Sequence, residues 1–342
     1  MRADRHSRHR LFAPLGDRGQ KALGDARVAI VGCGALGSRS AELLGRAGVG
    51  TGRGHLRVID RDYVEESNLQ RQALFDSADA DRATPKATAV AAHLKAIDPS
   101  LLCQTHVREL NAGNALELLR DVDLIIDGTD NFRARYLIND AALSLGIPWI
   151  YGGAVGSRGI VAFFDPHATP CLRCLLEDVP AFGVADSCET AGIITPLPAM
   201  VAALQVAAAM RWIVEKSFQR GVTTFDLWKG EAMQVSLGSA VPAPDCPSCG
   251  SRLFPALHDQ PEEVVTLCGR NSVQVFSSIS ADLDSTARRF DQIGRTVRRH
   301  HDSLSADIPE GMITLFRDGR IIVEGTTDVL DAKSIIARYL GG

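Results

Sequence analysis

A glycine-rich turn between a predicted strand and a predicted helix is the first chemical signal in the sequence. Gly32, Gly34 and Gly37 follow the spacing G-x-G-x-x-G directly after the apolar run ARVAIVG. Glycines let backbone N–H groups approach a phosphate at the start of a helix. Asp60 ends the next apolar run, 23 positions after Gly37, and an acid there accepts hydrogen bonds from ribose hydroxyls. The pattern predicts a nucleotide site without choosing between NAD(P), FAD and ATP.

Polar residues farther along favour a triphosphate. Asp62, Asn68 and Arg71 lie in IDRDYVEESNLQRQ, Lys86 lies in TPK, and Asp130 lies in DGTDN at the end of a predicted strand. An enzyme that attacks the α-phosphorus of ATP needs cations for the phosphate charge and an acid for Mg²⁺. A nicotinamide enzyme has no need of this cationic set. Taken singly, however, Arg71 and Lys86 are ordinary surface charges, so an NAD(P)-dependent oxidoreductase remains the alternative.

Four of the eight cysteines form two C-x-x-C pairs about 70 residues apart. Each pair supplies two thiolates, and zinc takes four ligands in a tetrahedron. Disulfides explain the pairs poorly in a chain without an export signal, and neither pair opens the βαβ unit expected of a redox motif. The sequence therefore predicts one closed, structural zinc site, formed by Cys171, Cys174, Cys246 and Cys249.

Cys188 stands apart from these pairs, in the stretch DSCETAGI. A thiolate at this position would be able to attack a mixed anhydride. The alternative is a small residue that packs near a loop.

The elements that must position these residues alternate between strands and helices. The runs ARVAIVG, LRVID and VDLIIDGTDN indicate strands, SRSAELLGRAG and TPKATAVAAHLKAIDP indicate helices, and PWIYGGAVGSRGIVAFFDP indicates paired strands. This order predicts an α/β fold with a Rossmann-like, largely parallel sheet flanked by helices. We expect an N-terminal arm over 1–25, a nucleotide-binding domain with the zinc knuckles over 26–255, and a small α+β domain over 256–342.

Composition limits the class of protein. The 342 residues carry a formal net charge of −4, which is no whole-chain signature of nucleic-acid binding. The longest apolar stretch, 194–214, is interrupted by prolines and polar residues, so we expect a buried helix and no membrane span. Without an export signal, the cytoplasm is the expected location.

The C-terminal region indicates a strand at SVQVF, a basic helix over 282–301, a hairpin with Asp-Gly at its turn in MITLFRDGRIIVEG, and a last helix. Cys268 lies just before a predicted strand, which does not suit the anion-binding loop of a sulfurtransferase. We therefore expect no built-in sulfur donor. The closing Gly341-Gly342 is interpreted as the cap of the last helix, in preference to the tail of a carrier protein.

Together, the motifs GCGALGS, DRDYVEESNLQRQ, TPKA and DGTDN and the two cysteine pairs resemble the ThiF/MoeB/HesA family, bacterial relatives of ubiquitin-activating enzymes. The resemblance covers about residues 6–250. It implies an ATP- and Mg²⁺-dependent adenylyltransferase that acts on the C-terminal glycine of a ubiquitin-like sulfur carrier protein ending in Gly-Gly and releases pyrophosphate. A separate sulfurtransferase would donate the sulfur. Adenylylation of a tRNA or a peptide is the further alternative.

The same resemblance implies roles for single residues, and these concern the nucleotide, the partner subunit and the carrier. They are Asp60 for the ribose, Asn68, Arg71 and Lys86 for the phosphates, Asp130 for Mg²⁺ and phosphate with Asp62 nearby, Arg8 for the ATP of the partner in a homodimer, and Cys188 for attack on the acyl-adenylate in some members. One departure is the insertion TGRGH before the second strand, which a surface loop tolerates thermodynamically.

Overall fold

A computed structural model describes residues 4–176, 192–238, 240–258, 264–267, 271–276, 282–299, 303–317 and 319–340. The chain divides into two compact units, one of residues 1–81 and 86–259 and one of residues 82–85 and 260–342. Each unit has its own sheet and its own apolar core.

The first unit contains an eight-stranded sheet. Its strands are β1 (Arg27–Val31), β2 (His55–Ile59), β3 (Cys103–His106), β4 (Leu124–Asp127), β5 (Trp149–Val155), β6 (Arg158–Phe164), β7 (Gly221–Asp226) and β8 (Glu231–Ser236). The order across the sheet is β3-β2-β1-β4-β5-β6-β7-β8. The pairs from β3 to β5 are parallel, and those from β5 to β8 are antiparallel. The predicted α/β class is confirmed.

Helices connect and cover these strands. They are α1 (Ser7–Leu11), α2 (Gly16–Asp25), α3 (Ala35–Ala47), α4 (Ser77–Asp81), α5 (Lys86–Ile97), α6 (Ala115–Leu119), α7 (Phe132–Leu145), α8 (Leu172–Leu175) and α9 (Pro196–Glu215). Short 3₁₀ turns occupy Glu66–Asn68 and Pro255–Leu257.

The strand order creates a switch point beside β1. From β1 the chain moves outward to β2 and β3, and it then returns to β4 on the other side of β1. The loops that leave the carboxyl ends of β1 and β4 therefore diverge to opposite faces, and open α/β sheets bind their ligands in the crevice at such a point.

Among the described residues, one helix, α9, is long and apolar enough to cross a membrane by length and composition alone. It lies against β5, β6 and α3. In its middle, the fully buried Gln205 donates hydrogen bonds from Nε2 to the carbonyl oxygens of Asp127 and Ile150, at 2.8 and 3.2 Å. Core helices of folded domains meet the same criterion, and this packing is that of a core helix.

The second unit is a six-stranded antiparallel sheet with two helices. Its elements are β9 (Val264–Leu267), β10 (Ser272–Phe276), α10 (Leu283–Gln292), β11 (Val297–Arg299), β12 (Ser303–Ile308), β13 (Gly311–Phe316), β14 (Arg320–Glu324) and α11 (Val329–Leu340). The order is β11-β12-β13-β14-β10-β9. The predicted strand, hairpin and last helix are confirmed as β10, β13–β14 and α11.

The predicted basic helix over 282–301 is wrong in its second half. The helix ends at Gln292, and Gly294 adopts a φ of +69°. Residues Val297–Arg299 form β11, where Arg298 pairs with Asp307 at 2.7 Å. The arginines of the predicted basic helix are thus divided between a helix and a strand.

Candidate active site

The glycines of the phosphate turn differ in how much space a side chain would have at each position. A Cβ on Gly32, whose φ is +83°, would stand 2.7 Å from the carbonyl oxygen of Gly128, and one on Gly37 would stand 1.7 Å from the Gly32 oxygen. These glycines allow the loops after β1 and β4 to touch and α3 to begin close to the turn. A Cβ on Gly34 would meet nothing nearer than the Gln72 amide nitrogen, at 3.9 Å. The space over Gly34 is therefore open to a ligand.

Asp60 holds this turn to the end of β2. Its Oδ2 accepts the backbone N–H of Cys33 at 2.5 Å, and its Oδ1 accepts that of Asp62 at 2.6 Å. Burial raises the pKa of the Asp60 carboxyl, opposed by the charge of Lys86 and reinforced by that of Asp62. Each carboxylate oxygen keeps a second acceptor position, which suits the ribose hydroxyls expected there.

Lys86 is a buried cation beside Asp62. The residue is 3% exposed, its Nζ lies 3.5 Å from Asp62 Oδ2, and its backbone N–H donates to the Asp62 carbonyl oxygen at 2.8 Å. A lysine is rarely buried in this way without a charge to neutralise it. The interpretation of Lys86 as an ordinary surface charge is therefore wrong.

Arg61 connects the same acids. It pairs with Glu109 at 2.5 Å and approaches Asp62 at 3.7 Å. Burial acts to lower the pKa of the Arg61 guanidinium, but the charges of Asp62, Glu109, Asp130 and Asp60 outweigh it and raise that pKa. Asp130 thus acts on the same charge cluster as Asp60, although it follows a different strand.

Asn68 is the last residue of the 3₁₀ turn Glu66–Asn68, and Arg71 follows this turn. Asn68 is 3% exposed, and within the described chain its Oδ1 has no hydrogen-bond donor. Arg71 is half-buried, and its Nη1 donates to the Ser67 carbonyl oxygen at 2.9 Å. The Asn68 Oδ1 acceptor is thus unused among the described residues, and the Ser67 contact occupies one of the five N–H donors of the Arg71 guanidinium.

The end of β4 contains a buried ion pair that motif matching did not find. Asp127 is fully buried and accepts hydrogen bonds from the N–H and hydroxyl of Thr129, at 2.9 and 2.6 Å. Arg135 approaches its other oxygen at 3.2 Å and also donates to the Gly152 carbonyl oxygen at 3.0 Å. Burial raises the pKa of Asp127, and Arg135 opposes that shift. The pair shapes the loop that presents the exposed Asp130.

We call the space bounded by Gly34, Asp60, Lys86 and Asp130 the crevice. The structure brings the predicted nucleotide residues to this one place from different segments. They are Gly32, Gly34, Gly37, Asp60, Asp62, Lys86 and Asp130. Asn68 and Arg71 lie in the same segment as Gln72, whose amide nitrogen borders Gly34, and their part in the nucleotide site stays a prediction. Gly128, Asp127 and Arg135 were missed, although the motif DGTDN at a strand end pointed to their segment.

Arg8 lies away from the crevice of its own chain. It is exposed on α1, next to His6. The His6 ring would stand 2.9 Å from a Cβ on Gly48, just past the C-terminal end of α3. Because α3 has 13 residues, its two ends are about 20 Å apart, and the phosphate turn lies at the opposite end.

The four cysteines form a compact cluster. Sγ–Sγ distances are 3.9 Å for Cys171–Cys174, 3.7 Å for Cys171–Cys246 and 3.3 Å for Cys174–Cys249. All four sulfurs lie within 4.8 Å of one another. Thiolates bound tetrahedrally to zinc at 2.3 Å stand about 3.8 Å apart. The residues present therefore fit a Cys₄ zinc site, which we call the cysteine cluster.

Side chains and carbonyls of α7 hold the cysteine cluster in place. The N–H of Leu172 donates to Asn139 Oδ1 at 2.9 Å, and Arg252 donates to the Leu143 carbonyl oxygen at 3.2 Å. Arg173 stacks 4.5 Å from the Tyr136 ring. The predicted Cys188 and Cys268 lie outside the described residues, and so does the Gly341-Gly342 end.

Comparison with known proteins identifies the family of the chain. The family described as "ThiF family" matches residues 6–248. The chain is 43% identical over 340 residues to the "Sulfur carrier protein ThiS adenylyltransferase" of Bacillus subtilis, covering 98% of this chain and 99% of the relative. It is 36% identical over 255 residues to the "Sulfur carrier protein adenylyltransferase" of Thermus thermophilus, covering 72% and 90%.

The solved structure titled "Crystal structure of E. coli MccB + ATP" shares the fold, with a TM-score of 0.61, 20% identity and coverage of 73% of this chain and 75% of that chain. The α/β fold and its crevice define a nucleotide-binding enzyme at the switch point of a largely parallel sheet. Within that class, the chain belongs to the ThiF family and is an adenylyltransferase. The alternative of an NAD(P)-dependent oxidoreductase is set aside.

Proposed function

We propose that this enzyme uses ATP to adenylylate the C-terminal glycine of a ubiquitin-like sulfur carrier protein. The observation that carries the proposal is the crevice, where the phosphate turn is open over Gly34 and the charge of the buried Lys86 acts on Cys33 and Asp60 beside it. Full-length similarity to a ThiS adenylyltransferase supports the choice of substrate. The product would carry the carrier carboxylate in a mixed anhydride with AMP.

The chemistry requires positioning and charge more than acid–base catalysis. The carrier carboxylate is ionised at neutral pH, so one of its oxygens attacks the α-phosphorus of ATP directly. The new O–P bond forms as the bond to the bridging oxygen breaks, and pyrophosphate takes away that electron pair. The enzyme contributes alignment and stabilisation of the phosphate charge.

The side chains of the crevice divide this work. We assign the ribose to Asp60 and the phosphates to Asn68, Arg71, Lys86 and the backbone of the turn. Asp130 would hold Mg²⁺, with Asp62 nearby, and a bound Mg²⁺ would neutralise charge on the phosphates. Carboxylate oxygens are ligands that Mg²⁺ prefers, and Asp130 is exposed at a strand end where a phosphate-bound ion would lie.

We also propose a homodimer in which Arg8 serves the ATP of the partner subunit. The position of Arg8 supports this, since about one helix length separates it from its own crevice. The exposed Leu11 and Phe12, 73% and 64% accessible, lie next to it and offer apolar area for such an interface.

Zinc is the proposed occupant of the cysteine cluster. Held by Cys171, Cys174, Cys246 and Cys249, it would have no open position for a substrate and would join two distant segments beside α7.

Cys188 is proposed as a nucleophile toward the acyl-adenylate, with AMP as the leaving group. A separate sulfurtransferase would then supply the sulfur, and we expect the reaction to take place in the cytoplasm.

ATP–pyrophosphate exchange tests the function. Purified enzyme is incubated with labelled pyrophosphate, ATP and a candidate carrier ending in Gly-Gly, and we expect exchange that depends on the carrier. A carrier without its last glycine serves as the control. Asp130→Ala should abolish exchange, and a variant that exchanges as fast as the wild type would remove Asp130 from the site. Exchange with a peptide or tRNA and none with any carrier would favour the alternative substrates.

A further inference from the structure

Gln72 faces the phosphate turn from the segment that also carries Asn68. It is 4% exposed, and its backbone N–H donates to the Asn68 carbonyl oxygen at 2.9 Å. Its side-chain Nε2 is the nearest atom to the position that a Cβ on Gly34 would take, at 3.9 Å. The amide of Gln72 therefore borders the open space over Gly34 directly.

The hydrogen bonds of this amide are incomplete. Its Oε1 is buried and has no donor among the described residues. A buried amide oxygen without a donor costs about 1–3 kcal/mol, and a folded protein rarely leaves such a group without a reason. The nitrogen of the amide, and not its oxygen, is therefore the atom that lies toward the opening of the turn.

The start of α3 makes this orientation informative. No described side chain caps the helix at Gly34, so the N–H groups of its first turn also face the opening. The N–H groups of the first turn of α3 and the Nε2 of Gln72 point into one space. All of them are donors, so they cannot form hydrogen bonds with one another. Only an acceptor satisfies both, and the positive end of the helix dipole favours an anionic one.

We propose that Gln72 is a phosphate-contacting residue whose Nε2 donates a hydrogen bond to an oxygen of the nucleotide bound over Gly34. The inference rests on the proposed function and adds to it a neutral, directional donor. Lys86 is already paired with Asp62, so an amide fixes the position of the phosphate without adding a charge. The contact holds the triphosphate for in-line attack on the α-phosphorus.

Binding of ATP, AMP and adenosine, measured by calorimetry without any carrier, tests the contact. Gln72→Met keeps the volume and removes the donor. A hydrogen bond to a charged group contributes enough that we expect the Kd for ATP to rise about 10-fold to 100-fold, while the Kd for adenosine changes less than about twofold. Gln72→Glu places a carboxylate against the phosphate and should weaken ATP binding further.

Gln104→Met is the matched control, because Gln104 is a partly buried glutamine on β3 that accepts a hydrogen bond from Arg57 at 3.0 Å. Its Kd for ATP should stay at the wild-type value. If Gln72→Met weakens adenosine as much as ATP, Gln72 supports the fold and the proposal is wrong. Unchanged ATP binding in Gln72→Met also overturns it and leaves the proposed function standing. Wild-type enzyme that binds no ATP would overturn both.

Discussion

The crevice and the cysteine cluster lie at opposite ends of α7 and are built in opposite ways. At the first turn of α7, Asn131 caps the helix next to the exposed Asp130. In the segment that borders the crevice, Asn68 Oδ1 and Gln72 Oε1 have no donors within the part of the chain that the structure describes. In the second half, α7 positions four sulfurs that lie within 4.8 Å of one another. Unsatisfied groups suit a ligand that enters and leaves, whereas four mutually facing thiols suit a permanent ion.

The comparison also explains the different roles of charge. In the crevice, the charges of Lys86, Arg61, Asp60 and Asp62 partly compensate one another, and a bound phosphate would change that balance. In the cysteine cluster, Arg173 stacks on Tyr136 and donates to Ser248 Oγ at 3.0 Å, so its hydrogen bonds serve packing. A substitution in the crevice should therefore remove activity and preserve the fold. A substitution in the cysteine cluster should lower the Tm and leave ATP binding intact below that temperature.

The largest expected effect comes from Lys86→Met. Removal of a cation that stabilises transition-state charge should lower pyrophosphate exchange roughly 100-fold to 1,000-fold. Because Lys86 opposes the raised pKa of Asp60, its loss should also raise that pKa further. Exchange kinetics together with metal analysis check the prediction, and the variant should keep its zinc. Lys95→Met, an exposed position in the last turn of the same helix, should retain full exchange. Activity within about threefold of wild type would show that Lys86 only balances Asp62.

The next effect comes from Cys246→Ser. Loss of one thiolate should release the zinc and lower the Tm by about 5–10 °C, as a loss of a few kcal/mol does for a domain of this size. Calorimetry and metal analysis measure both. Below the lowered Tm, the Kd for ATP should stay within about threefold of wild type. Cys103→Ala, at a half-buried cysteine outside the cluster, is the matched control and should keep its zinc. A zinc-free variant with unchanged Tm would contradict a structural role.

The smallest effect is expected for Arg8→Ala. This substitution tests whether Arg8 contacts the ATP bound in the crevice of the partner subunit. We expect about a 10-fold loss of exchange, because an exposed charge contributes less than a buried one. Mixing Arg8→Ala chains with Lys86→Met chains should restore about a quarter of wild-type activity, since half of the dimers would then contain one intact site. A mixture that exchanges no faster than the average of the two separate variants would assign Arg8 to its own subunit or to no site.

The outcome for particular residues shows why some predictions from sequence hold. The strands β1, β2 and β4 and the helices α3 and α5 agree with the periodic runs because those patterns arise from neighbours in the chain. The prediction of one helix over 282–301 was wrong because its second half pairs with another strand. Helical spacing of arginines does not reveal that Gly294 ends the helix and that Val297–Arg299 finds a partner in β12.

The sequence by itself determined the phosphate turn, the alternation of strands and helices, and the two C-x-x-C pairs, because each depends on residues a few positions apart. Only the tertiary structure decided that Gly32 packs too closely against Gly128 to carry a side chain. It also decided that Lys86 is buried against Asp62 and that the Gln72 amide faces Gly34. These contacts join segments that are distant in the chain. The order of strands in the sheet sets them, since it brings the carboxyl ends of β1, β2 and β4 to one edge.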